Sequence, residues 1–564
     1  MFPVTYNILL MKPITYLTLF LIIVSLSCSN KQQAELSSES TSEIADVSLG
    51  KLEHGFTLNP DTREKFNEGL LLLHNFEYED ALSAFEEATA LDSTEVMTHW
   101  GEAMCHYKGL WKLQDTDKGT AIISRLGDTR EERLSTIDDP LEKAMWKMVE
   151  IMYGEGDFES RNNLLKSHLV AMHKKYPYNQ EVATFYALSL IWATEKYGDG
   201  SGDLRMAASI VDRITRMNPL HPGALHYKIH ALDGPTSAQD ALDAADAYAR
   251  VAPDAAHALH MPSHIYLALG EWDGVVNSNQ ASYDASVRRM TKKELPDGAR
   301  GYHSLAWLHY GLLQKGQYSK AEKILNEMIT YVPKDPTKGA RGYLLGMQSR
   351  QLSETGKIND QIQLDLDLKV EDIGITAKAK RSFLRAQVAY TKNDIKTIDD
   401  EIEWLSAKIY LDSLNIKNSD IAMCAAGGNK YKPTDNTIKM AQVTLAQIKG
   451  LKAKLNNDQK LFESKMKKAI ALEAVTNYPT GPPNIIKPSF EQYGEWLIEQ
   501  GRYDEALKQF DKALLRMPKR SKSLEGKITA LNALNQLDES RELRNELQSI
   551  YAQADSEVKK ILNK

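Results

Sequence analysis

The chain has 564 residues, several times the usual domain length, so more than one structural unit is expected. Its 42% hydrophobic and 26% charged residues are the composition of a soluble folded protein. A formal net charge of -7 argues against a nucleic-acid partner, because phosphate binding wants a basic face. Only 19 prolines are present, while leucine, alanine, glutamate and lysine abound, and those residues favour helix.

The chain opens with a leader. Lys12 precedes an apolar run from Pro13 to Ser27, shorter than the ~18 residues that cross a bilayer. A basic residue, a short apolar stretch and a small residue before the cut make residues 1–27 a signal peptide. Leu26-Ser27-Cys28 resembles the lipobox of bacterial lipoproteins, which implies acylation of Cys28 and an extracytoplasmic, lipid-anchored protein, in the outer membrane of the cell envelope. Residues 28–50 are rich in Ser, Glu, Gln, Ala and Thr, and such a segment reads as a flexible tether. Cys105 and Cys424 are the two other cysteines; distant repeats of a solenoid are not expected to touch, so no disulfide is expected between them.

The body carries a repeat. Its clearest unit is Tyr493-Gly494-Glu495-Trp496-Leu497, then Gly501-Arg502-Tyr503, Ala506, Phe510, Ala513 and Pro518. Small residues at Gly494, Ala506 and Ala513 let two helices approach, large apolar residues fill the seam, and Gly501 and Pro518 mark helix ends. That spacing is the tetratricopeptide (TPR) signature. Further copies run through Gly69, Phe76-Glu77-Tyr78, Ala81, Phe85 and Ala88, and through Gly316-Gln317-Tyr318, Ala321, Leu325, Met328 and Pro333. Gly270-Glu271-Trp272 and Gly356-Lys357-Ile358 mark other turns. No alternating strand pattern is found. The expected fold is therefore all-α, a right-handed solenoid of TPR-type helix pairs. It divides into an array over 51–368, an irregular helical region over 369–480 that ends at the proline-rich Tyr478–Pro483 passage, and C-terminal repeats over 481–564.

Several stretches resemble a family of bacterial TPR proteins, most without an assigned activity. They are Thr98-His99-Trp100-Gly101-Glu102-Ala103-Met104, His221-Pro222-Gly223-Ala224-Leu225-His226-Tyr227-Lys228-Ile229-His230-Ala231, His257-Ala258-Leu259-His260-Met261-Pro262-Ser263-His264-Ile265, Tyr302-His303-Ser304-Leu305-Ala306-Trp307-Leu308 and Gly481-Pro482-Pro483 with Lys487-Pro488. The resemblance spans most of the mature chain and implies a fold rather than a chemistry. It also implies further histidines near Lys108 and Glu195, which this chain lacks.

Histidines are unevenly spread. Six of the fourteen fall between Gly223 and His303: His226, His230, His257, His260, His264 and His303. His226 and His230 are four apart, as are His260 and His264, so each pair shares a helix face. Each member of the first pair lies 34 residues before its counterpart, one repeat period, which predicts two pairs side by side in the concave groove. His257 stands 13 residues before Gly270 and His303 stands 13 before Gly316, so these two occupy equivalent places. Packed helices lie roughly 8–10 Å apart, within reach of a shared ion. Imidazole suits zinc, copper or iron. Asp233 and Glu195 are candidate carboxylates for fixing a histidine tautomer. His54, His74, His99, His106, His168, His173 and His309 are scattered and read as structural.

Two functions follow from this pattern. The first is an envelope-anchored scaffold whose groove binds a peptide, protein or small ligand. The alternative is a metal-dependent enzyme or metal-binding protein using the six histidines. Pro222 and Pro262 read as helix-start residues, and a break at Pro262 would part His257 from His264. Phosphate-loop, His-Glu-x-x-His and Cys-x-x-Cys motifs are absent, and Gly198-Asp199-Gly200-Ser201-Gly202 reads as a loop between helices because no strand precedes it.

Overall fold

The computed structural model describes residues 49–194, 202–358, 368–416 and 432–563, all within one compact unit, Val47–Lys564. The signal peptide, Cys28, most of the tether, Glu195, the glycine-rich stretch before Gly202 and Cys424 lie outside the described residues.

Helix follows helix, in antiparallel pairs. Pro60–His74 packs on Tyr78–Leu91, Tyr302–Gln314 on Tyr318–Tyr331, Ser489–Glu499 on Tyr503–Arg516, and Ser521–Ala533 on Leu537–Ile550. One turn chemistry makes these pairs. A residue in the left-handed region ends the first helix, and the next N–H reaches back five positions to a carbonyl of the last turn. Gly270, Gly316 and Gly501 take that conformation with φ of +70°, +64° and +70°. The reach-back bonds run from Glu271 to Tyr266, Gln317 to Leu312 and Arg502 to Leu497, at 2.7–2.9 Å. In the 369–480 region the same turn is built on asparagine, which tolerates this backbone better than other side chains. Asn393 and Asn457 have φ of +55° and +56°, and join Ile375–Thr391 to Ile395–Ser413 and Asp435–Leu455 to Gln459–Glu473. Within the pairs, glycine permits close approach: a Cβ on Gly494 would stand 2.8 Å from the Phe510 ring, and one on Gly101 would stand 2.4 Å from Phe85. The described chain is thus an all-α array of TPR-type pairs, with one two-residue antiparallel ladder of Tyr107–Lys108 on Leu113–Gln114.

The expectation that distant repeats stay apart does not hold. The superhelix brings its first pair against its middle and its last pairs against Pro262–Gln314. Arg289 and Lys293 both bind Asp80 at 2.6 Å, Tyr248 donates to Asn75, and the backbone of Lys51 donates to Leu220. At the other end, Trp272 donates to the Lys519 carbonyl, and the Asp555 N–H donates to Gly316. A Cβ on Gly270 would stand 2.5 Å from the Pro518 carbonyl. The groove of an open solenoid is therefore filled by the protein's own ends. Among the described residues Cys105 is the one cysteine, buried and unpaired, and no helix is long and apolar enough to cross a membrane.

The C-terminal seam is held by Arg520, whose guanidinium is 1% exposed between Glu491 at 2.7 Å and Glu354 at 2.6 Å. Removing one partner of a buried ion cluster strands the others in a low dielectric, typically costing about 3–5 kcal/mol. Arg520→Ala is expected to lower the unfolding free energy by that order in urea titration and to expose residues 481–564 to limited proteolysis first.

Candidate metal centre

The Pro222–Leu232 helix begins as its sequence suggests. His221 is the N-cap and accepts from the Ala224 N–H at 3.3 Å, and Pro222 takes the first position. Four residues later His226 and His230 project from one face, both fully buried. Gly223 lets the helix lie against His74; a Cβ there would stand 2.4 Å from the His74 ring. In the next repeat Ala256–His260 and Pro262–Leu269 are nearly continuous, because Met261 keeps right-handed helical angles (φ -55°, ψ -37°). Pro262 removes an N–H without breaking the helical path, so His257, His260 and His264 remain on one side. His303 comes from Tyr302–Gln314.

All six predicted histidines converge, and they sort into two triads rather than the four-histidine cluster that the register suggests. His226, His230 and His257 form one, and His260, His264 and His303 the other; within each, one ring nitrogen per residue lies within 4.8 Å of the others. His226 Nε2 and His257 Nε2 are 3.1 Å apart. His260 Nε2 is 3.2 Å from His264 Nε2 and 2.9 Å from His303 Nε2. The triads adjoin, with ring centroids 6.1 Å apart between His230 and His264. Each triad has the same construction: an i, i+4 pair plus one histidine from the following repeat.

Hydrogen bonds on the outer ring nitrogens set the tautomers. His226 Nδ1–H donates to the His74 carbonyl at 2.7 Å. His264 Nδ1–H donates to Asp233 Oδ2 at 2.7 Å, so Asp233 takes the place that its sequence position suggested. His260 Nδ1–H donates to Asn279 Oδ1 at 2.7 Å, and Asn279 is oriented by its own bond to the Val275 carbonyl. With Nδ1–H of His260 and of His264 committed to those acceptors, the ring nitrogens that face each other are the two Nε2 atoms, 3.2 Å apart. His230 is buried with neither ring nitrogen hydrogen-bonded. Imidazole nitrogens 2.9–3.2 Å apart, as His260 Nε2 stands from those of His303 and His264, are what a cation bound at about 2.0–2.1 Å would bridge. His303 Nδ1 meets the Tyr343 hydroxyl at 2.7 Å.

Aromatic rings close both triads. Phe76 lies over the first, with centroids 4.3 Å from His226 and 5.6 Å from His257. Its φ of +57° is the turn position that glycine or asparagine fills elsewhere, so the backbone accepts strain to place a ring there. The adjoining Glu77 accepts the His257 backbone N–H at 3.0 Å. Trp307 covers the second triad, 4.6 Å from His264 and 4.8 Å from His260. His264 and His303 also line a cavity of about 240 Å³. Burial pushes the His226 and His260 imidazoles down to about 3; burial and neighbouring rings take His230 and His257 well below the usual range.

Sequence reasoning missed several partners. Asn279, Tyr343 and Trp307 stand on elements that carry no histidine pair. Phe76 gave a signal, since a phenylalanine occupies a turn position that wants glycine. His74, read as structural, also gathers with Glu181 and His221 in a third buried group. There His74 Nε2 is 2.7 Å from Glu181; although burial pushes the Glu181 carboxyl up, the two rings hold it well below the usual carboxylate range. That group packs behind the first triad, whose His226 Nδ1–H donates to the His74 carbonyl. His54, His99, His168 and His309 make ordinary bonds to Asn67, the Ser93 carbonyl, the Ala144 carbonyl and Gln351.

No family model matches the sequence, and no curated protein matches it. Among solved structures, a monomeric mutant of IFIT1 with m7Gppp-AAAA aligns over 90% of this chain and 96% of its own, at 13% identity and a TM-score of 0.35. The human IFIT1 dimer with m7Gppp-AAAA aligns over 90% and 100%, at 12% identity and 0.33. Yeast Tom70 aligns over 87% and 92%, at 12% identity and 0.28.

Neutral buried histidines make a pH prediction for the metal-free protein. Unfolded imidazoles bind protons near pH 6.5, whereas His226 and His260 in the fold bind them only near 3. The unfolded state therefore takes up more protons as pH falls from 6.5 toward 3, and stability is lost over that window. Each such group contributes roughly 1.4 kcal/mol per pH unit. Melting temperature should fall between pH 7 and pH 5, and less steeply in His260→Gln; equal slopes would show that His260 takes up its proton in the fold as it does in the unfolded chain.

Proposed function

We propose that this protein is an envelope-anchored TPR protein that binds a transition-metal ion at each histidine triad and uses the second centre on a small ligand. The observation that carries the reading is the convergence of ring nitrogens in each triad, with His260 Nε2 and His264 Nε2 3.2 Å apart and both Nδ1 hydrogens committed elsewhere. Three histidines and a vacant fourth position are the donor set of open, ligand-accepting zinc sites, whereas structural sites are closed by four protein ligands. An all-imidazole set suits zinc, copper or iron. Such an ion would supply Lewis acidity or redox chemistry. The chain's own part is to fix the tautomers through Asp233, Asn279 and the His74 carbonyl, exclude water with Phe76 and Trp307, and admit a ligand from the cavity beside His264 and His303.

The groove reading is narrowed rather than discarded. His226, His230, His260 and His264 are at most 1% exposed, so an extended peptide lying in an open groove would not reach them. A small ligand in the cavity would.

Metal analysis after dialysis against zinc, copper or iron(II) tests the proposal. Two ions per chain are expected in the wild type and one in the His260→Ala/His264→Ala double variant, with His226→Ala/His230→Ala removing the other. A wild-type chain that retains no stoichiometric metal would sink the reading.

The anchor rests on Cys28, which lies outside the described residues. Replacing it by serine is expected to move the protein from the membrane fraction to the soluble fraction, because no described helix offers another span. Wild-type protein that incorporates no fatty-acid label would refute acylation.

A further inference from the structure

The cavity beside the second triad has a charge character of its own. Lys338, Arg350, Lys380, Lys432 and Arg516 line it, and among the described lining residues Glu473 is the one carboxylate; Lys338 also stands 4.0 Å from Asp372. Glu473 is turned to Ser489, accepting from its N–H at 2.7 Å and its hydroxyl at 2.5 Å. Burial pushes its pKa up, which favours the neutral acid and further weakens the one negative group.

Two of the cations are built into the wall. Arg350 is 4% exposed; its Nη2 donates to the carbonyls of Pro482 and Pro483 at 3.3 and 3.0 Å, while its Nε makes no hydrogen bond. Arg516 donates through Nη2 to the Asn477 carbonyl at 2.8 Å, and its Nε likewise makes no hydrogen bond, standing 3.8 Å from Glu473. A buried guanidinium edge without an acceptor is costly, and the group that satisfies it best is a planar carboxylate or a phosphate. The lining also includes aromatic and apolar side chains, Trp307, Tyr343, Tyr478 and Met440, and the Arg516 guanidinium lies over the Tyr478 ring at 5.2 Å. Gly481 brings the proline-rich backbone onto the Trp307 ring, where a Cβ would stand 2.5 Å away. The volume, about 240 Å³, is below the ~300–1,000 Å³ common for drug-sized ligands.

We propose that this cavity takes a small organic carboxylate with an apolar body, its anionic end at Arg350 and Arg516 and its other end toward the His260–His264–His303 centre. A planar apolar body fits between aromatic walls, which a bare inorganic anion would leave unfilled. The orientation toward the histidines rests on the metal reading above; the carboxylate preference does not.

Titration calorimetry on the full chain, with benzoate and its neutral counterpart benzamide, tests this. Benzoate is expected to bind at least tenfold more tightly than benzamide, and Arg350→Gln should remove that preference. Because Arg350 also holds the proline-rich passage, Lys338→Gln, at the cavity edge, provides a second variant and should reduce the preference several-fold. Equal affinity for the two compounds, no binding of either, or inorganic phosphate binding as tightly as benzoate would overturn the assignment. Cobalt(II)-loaded protein separates the two layers. A visible-band shift on adding benzoate supports the orientation, and bound cobalt with no shift overturns it. A chain that binds no cobalt but still prefers benzoate overturns the metal reading and the orientation, and leaves the carboxylate site standing.

Discussion

Three buried imidazoles of the site commit Nδ1–H to a partner, and the site's geometry rests on those bonds. His226, His260 and His264 each spend Nδ1–H on an acceptor supplied by a different element: the His74 carbonyl, Asn279 and Asp233. Those bonds aim every Nε2 inward. Burial disfavours protonation of His226 and His260, so these two bring Nε2 to the centre as neutral rings. Remove the acceptors and the rings could turn; remove the burial and they would protonate.

The repeat supplies the duplication. An i, i+4 histidine pair joined by a histidine of the next repeat makes one triad, and a shift of one repeat makes the second. The Ala256–Leu269 stretch serves both, giving His257 to the first and His260 and His264 to the second. It can do so because Met261 stays helical ahead of Pro262. A sharper break would have separated the two centres and left three histidines without neighbours.

Closure then distinguishes this array from an open solenoid. The first helix pair contributes Phe76 over one triad and Glu77 under the His257 backbone. The last pairs, anchored by Arg520, bring the proline-rich passage over Trp307 and shape the cavity.

Much of this was legible in the chain because it is local or periodic. Helix pairs follow from Gly270, Gly316 and Gly501 at left-handed turns and from small residues opposite large ones. The face-sharing of His226 with His230, and of His260 with His264, follows from helical spacing, and their adjacency from the 34-residue period. Which histidine joins which pair did not follow, because His257 and His303 depend on how far one repeat is rotated on the next, a packing quantity. Asn279, Tyr343 and Phe76 reach the site from other helices and turns, and the cations of the cavity are spread from Lys338 to Arg516. Short-range periodicity is written residue by residue and so can be read directly from sequence. The closing of the superhelix on itself sums small rotations over many repeats, and only the tertiary structure decides where that sum ends.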